Sequence, residues 1–212
     1  LPMPYVAGRS LRQAKNMLEV AGLGIERLVY EEDIATNYVL AELVDGRELT
    51  PDMKVEIEMG EGVVLKVGVE PEKNGVIVPK AIGQGLEAAK SRLWEQGLNI
   101  GKIEMDEGIN LMNQKDARVY RQSLSHNSSA QLGDEVSLWL TLDESKVESS
   151  SAASDKRAQE LEEERLEAEA ALRDSLEQAE TADRAGGILR ALFGGSEEEP
   201  VEVTETEEDE FF

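Results

Sequence analysis

The 212-residue chain has no cysteine, a single histidine, and only 22 lysines and arginines against 45 aspartates and glutamates. Lack of cysteine removes disulfides, thiolate nucleophiles and cysteine-ligated metals together. It leaves the compartment open, because an extracytoplasmic protein can do without the residue. The shortage of cations, with a net charge of −23, sets the surface against phosphate backbones and anionic lipid, so nucleic-acid and membrane-surface partners are disfavoured. No apolar run approaches the length of a bilayer span. No G-x-S-x-G, H-E-x-x-H, P-loop or EF-hand spacing occurs either, and the reading is a non-enzyme with no catalytic, cofactor-binding or metal-ligating residues. His126 lies in the polar run SLSHNSSAQ with no second histidine beside it, the setting of a solvated loop residue. Gly83-x-Gly85-x-x-Ala88, with Glu104 further on, outlines a dinucleotide fingerprint. The chain before residue 142 has no room for the repeated βαβ crossovers that such a site needs.

What the chain does contain is a copy of itself. GRSLRQAKNMLEVAGLGI, from Gly8, returns 75 positions later as GQGLEAAKSRLWEQGLNI, from Gly83. A self-similar period has to be settled before any motif is trusted. In the first copy Leu11, Ala14, Met17, Leu18 and Ala21 fall on one helical stripe. Ser10 and Gln13 are spaced as a capping box at its start, and Gly22 supplies the left-handed residue that stops it. The second copy keeps Leu86, Ala89, Leu93 and Gly97, with Gly85 as a weaker cap. Extended segments follow each helix, and the last strands align as Val63/Val136, Leu65/Leu138 and Val67/Leu140, a period-2 apolar face that can cover the helix. The expected fold class is α+β: two tandem units, each one helix packed on a three-stranded β-sheet. Their expected limits are 1–69 and 78–142, joined by a polar linker at 70–77. A linker that short and polar predicts repeats that meet end to end, without a shared core. Residues 143–212 hold 23 acids and 7 bases, an acidic tail with a helix expected over 154–183.

The stretches MPYVAGRSLRQAKNMLEVAGL and IVPKAIGQGLEAAKSRLWEQGL resemble the PASTA repeat, V-P-x-x-x-G-x-[ST]-x-x-x-A-x-x-x-L-x-x-x-G-[LF]. The downstream YVLAELV…GEGVVLKV and RVYRQSL…GDEVSLWL look like its V-x-x-Q…G-x-x-V-x-L-x-V end. The resemblance covers residues 3–142. Neither copy has the usual Q-x-P turn, and Met3 stands where Val is common. With its acidic tail ending in Phe211-Phe212, the chain looks more like PASTA proteins of the Bacteroidetes type than like the kinase or penicillin-binding types. The resemblance implies a non-catalytic periplasmic protein, tethered to the inner membrane by a segment upstream of Leu1. Its implied partners are peptidoglycan fragments or an envelope protein engaged in wall synthesis. The alternative is a structural spacer whose tail engages a protein partner.

Candidate ligand residues sit in the second copy. Trp94 takes the place of Glu19, and Trp139 that of Lys66. Charged counterparts predict that both rings are at least partly exposed, on different faces, where exposed aromatics favour contacts. The other reading packs them against the neighbouring repeat or the linker. Lys115, Arg118 and Arg121 around Tyr120 form a basic cluster suited to a peptide carboxylate, or charges that blunt a sheet edge. In the tail, the leucines from 161 to 176 fit no sustained heptad and predict a solitary helix. GGILRALFGG reads as an apolar island for a partner or a docking turn. The closing SEEEPVEVTETEEDEFF reads as disordered, with Phe211-Phe212 as a recognition tag.

Overall fold

The computed structural model describes residues 1–193; the closing acidic segment and its terminal phenylalanines lie outside them. The chain forms two units, Leu1–Glu163 and a second beginning at Glu164.

In the first repeat, α1 (Leu11–Val20) lies beside β1 (Gly24–Glu32), β2 (Val39–Val44), β3 (Arg47–Glu48) and β4 (Gly62–Val69). Ser10 and Gln13 form the expected capping box, and Gly22 adopts φ 77°. Leu11, Ala14 and Leu18 bury the helix stripe against Val63, Leu65 and Val67. The strand order is β1-β4-β2-β3, with β4 parallel to β1 and antiparallel to β2. The sheet thus has four strands where three were expected, because the chain after β2 turns at Asp45-Gly46, both with positive φ, and pairs back through β3.

The second repeat is built the same way, from β5 (Gly75–Ile77), α2 (Leu86–Glu95), β6 (Asn99–Met105), β7 (Arg118–Gln122), β8 (Ser129–Gln131) and β9 (Glu135–Thr141). Its three-stranded sheet has the order β6-β9-β7, and Ala89, Leu93, Val136, Leu138 and Leu140 fill its core. The end of the expected linker is not free chain. Gly75–Ile77 is β5, paired antiparallel with β8; the first repeat keeps only a single bridge, Pro2 to Glu56, at the corresponding place.

The last helix, α3, runs over Glu144–Phe193, ten residues earlier than expected at its start. Asp143 sets that start by accepting hydrogen bonds from the backbone N–H of Ser145 and Lys146 at 3.0 and 3.2 Å, as an N-cap does. The helix also continues through Gly186-Gly187, so the described part of the apolar island, residues 186–193, is helical rather than a turn. Its opening part is packed on the second repeat. Lys80 Nζ reaches Asp155 at 2.6 Å and Ser151 at 2.8 Å, Asn127 donates to the Ala158 carbonyl, and Ala158 is buried. In the second unit Leu166, Leu172 and Leu176 are exposed. None of the helices among the described residues is long and apolar enough to cross a membrane.

Candidate functional site

The five candidate residues fall into four neighbourhoods. Trp94 is buried, 8 % exposed, within the apolar core of the first repeat. This corrects the expectation of an exposed ring; each repeat keeps its own core cluster, and Trp94 is a buried residue of the second repeat that enters the first. The position that Glu19 holds at the surface of α1 faces, on α2, the flank of the preceding repeat, so an apolar ring there gains burial. The traffic runs both ways. Tyr30 of β1 packs on Gly97 and Gly133 of the second repeat, where a Cβ on Gly97 would meet its hydroxyl; burial pushes that phenol's pKa up. Asn99, 2 % exposed, accepts from the Leu28 N–H at 2.7 Å and donates to the Leu28 carbonyl at 2.9 Å. Its carboxamide thereby completes the free edge of β1. Around these lie Lys15 Nζ on Ser91 Oγ at 2.8 Å, Arg12 with Glu95 at 3.2 Å, and Arg27 with Glu135 at 2.6 Å.

Sequence reasoning missed Asn99 and Tyr30. The available signal was a lone carboxamide opening a strand where the first copy has Gly24. A groove of about 760 Å³ runs along this seam, lined by Gly22, Gly24, Lys90, Ser91, Trp94 and Ile100. Trp94 is the one candidate residue on it.

Trp139 stands on the sheet face away from the helix, half-buried, between buried Leu138 and Leu140. Across the three strands Glu104, Trp139 and Arg121 are neighbours in register. The indole Nε1 donates to Glu104 Oε2 at 2.6 Å, and the Arg121 guanidinium lies 4.2 Å from the ring centroid, a cation–π geometry. Arg121 has no ion pair among the described residues. At the position of Trp139 the first repeat places Lys66, paired with Glu31 at 3.3 Å.

The expected basic cluster does not form as one group. A bulge between Val119 and Arg121 interrupts the alternation of β7, and bulges re-aim side chains. Tyr120 turns to Asp106 and to Lys146 of α3, whose ammonium is 3.8 Å from the ring centroid. Hydrogen bonding to Lys146 holds the Asp106 carboxyl below its usual range and raises Lys146 in turn. Arg118, exposed, donates to the carbonyls of Lys115 and Ala117. As β7 is an edge strand, its charges also guard an edge.

His126 is not a solvated loop residue. It sits half-buried beneath α3, with Nδ1 3.8 Å from Asp155 Oδ1. Burial, reinforced by Lys80 and Arg92 and opposed by Asp155, lowers its pKa. Among the described residues no group of three or more His, Asp or Glu side chains could hold a metal ion.

No family model matches the chain, and no curated protein matches it. Among solved structures, the three-PASTA-domain of a Ser/Thr kinase from Staphylococcus aureus aligns at TM-score 0.26 and 18% identity, over 66% of each chain. The chain is similar in structure to PASTA-domain regions of Ser/Thr kinases. A second such structure, the entire extra-cellular region of the Ser/Thr kinase PrkC from the same organism, aligns at TM-score 0.26 and 19% identity, over 66% of this chain and 46% of that one. The matched part thus spans just under two thirds of the first structure and under half of the second.

Proposed function

We propose that the chain is a non-catalytic, extracytoplasmic binding module of the cell envelope that receives peptidoglycan fragments on the second repeat. The reading rests on the doubled PASTA-like pattern over residues 3–142. The observation that carries it is the Glu104–Trp139–Arg121 row. A guanidinium without an ion pair among the described residues, stacked on an indole, offers a peptide carboxylate two parallel donors. The ring beside it supplies apolar area at low entropic cost, and the Glu104 hydrogen bond fixes that ring in place. At the equivalent place in the first repeat, Lys66 is neutralised by Glu31, so the second repeat does most of the binding. The tether to the inner membrane and the wall-synthesis context belong to the same proposal.

Titrating a muropeptide into the wild type, Arg121→Ala and Lys66→Ala tests it. Arg121→Ala weakens binding and Lys66→Ala leaves it unchanged. Equal losses would sink the idea of a dominant second repeat. A second reading, a spacer that sets distance, is favoured by the interlocked seam between the repeats. Incubation with intact peptidoglycan separates the two, because a spacer is not retained.

A further inference from the structure

The seam shows what the edge of such a sheet accepts, and the second sheet offers the same kind of edge uncovered. β1 and β6 are equivalent outer strands. On β1, Leu28 pairs with Leu65 and gives its outward N–H and C=O to Asn99. On β6, Ile103 pairs with Leu138 in the same register. The Lys102 N–H turns inward to Ser137 Oγ, and the Asp106 N–H turns inward to the Leu140 carbonyl. Peptide groups alternate along a strand, so those of Ile103 and Met105 point out of the sheet. Among the described residues no strand pairs with that side of β6. Ile103 and Met105 are 37% and 40% exposed, whereas Leu28, the counterpart of Ile103, is 2% exposed under the neighbouring repeat.

We propose that this edge pairs, antiparallel, with β6 of a second copy of the chain, about a twofold axis through Ile103. In that register each Ile103 faces the other and the two exchange both backbone hydrogen bonds. Lys102 faces Glu104 of the other copy, and Glu104 faces its Lys102. Met105 faces Gly101, so the longest apolar side chain meets the smallest residue. Edges are commonly protected by a charge that opposes itself. Here two opposite charges, two residues apart, complement each other in this register, while centring the pair on Lys102 or Glu104 sets like charges face to face. Glu104 uses Oε2 for Trp139, and Oε1 is left for the lysine. Head-to-tail docking of a first repeat on this surface does not fit, because Glu19 and Gly24 stand where the seam uses Trp94 and Asn99. Isologous pairing closes at two copies. A strand edge this short buries little area, so association is weak and concentration-dependent.

Sedimentation velocity of the full chain over a range of concentrations tests the pairing. The wild type should show a reversible monomer–dimer equilibrium. K102E alone, or E104K alone, sets two like-charge pairs across the axis and should weaken it about tenfold. An equimolar mixture of K102E and E104K chains should associate as the wild type does, which also excludes misfolding of either variant. Because the chain has no cysteine, I103C introduces a sole thiol. Mild oxidation should trap it as a dimer faster than V20C, whose position is 90% exposed. A wild type that stays monomeric at every concentration, a K102E chain that dimerises like the wild type, a mixture that does not recover, or equal trapping of V20C and I103C would each overturn the proposal.

Discussion

Trp94→Ala removes a ring that belongs by sequence to the second repeat and by packing to the first. Truncating a buried aromatic residue costs about 3–5 kcal/mol through lost transfer energy and the cavity left behind. Part of that is returned, because the indole Nε1 is buried without a hydrogen-bond partner, and an unsatisfied buried donor costs roughly 1–3 kcal/mol. The expected net loss is about 2 kcal/mol, a large fraction of what a small domain has. Units of this size bury only about 60% of their unfolded surface, so the loss should fall on the first repeat and uncouple it. Amide hydrogen exchange in low urea can follow the two cores separately at Leu65 and Leu138, both fully buried. In the wild type both amides should open with nearly the same free energy. In Trp94→Ala, Leu65 should exchange faster while Leu138 keeps most of its protection. Equal loss at both positions, or none at either, would refute the view that the ring couples two otherwise separate cores.

Two further outcomes follow from individual contacts. Glu42 in the first repeat and Gln122 in the second are structural equivalents, each accepting from the chain ahead of its helix, from Val6 N–H at 2.7 Å and Ala81 N–H at 2.8 Å. Burial raises the Glu42 pKa against the backbone hydrogen bonds from Val6 and Ala7, and Oε1 has no partner among the described residues. A raised carboxyl contributes stability below its unfolded pKa and loses it as pH rises through the folded value. Glu42→Gln should therefore raise the urea midpoint at neutral pH, and its advantage should shrink as pH falls toward the unfolded carboxyl range. An advantage that grows on acidification would contradict this. Leu18→Ala and Leu93→Ala, each at 0% exposure, should each cost about 2–5 kcal/mol in equilibrium unfolding; a variant that unfolds with the wild-type midpoint would break the equivalence of the two helices.

Elements whose causes are local are legible in the amino-acid order alone. Ser10 with Gln13 starts a helix, Gly22 and Gly97 stop one, and a period-2 run makes a strand, wherever the chain later goes. The alternation around Trp139 placed it on the outer sheet face for the same reason. Tertiary structure decided everything that depends on a neighbour far along the chain. Trp94 and Trp139 looked alike because both replace a charged residue, yet the first meets another repeat and the second meets solvent and Arg121. Asn99 is unremarkable in sequence until its carboxamide reaches Leu28, 71 residues away. The bulge at Tyr120, which separates it from Arg121, arises from pairing with β9 and leaves no trace in RVYRQ itself. The polar run around His126 predicts a solvated residue, but its burial comes from a helix more than fifteen residues downstream. Burial and partner choice are set by distant contacts, while capping and periodicity are set within a few residues.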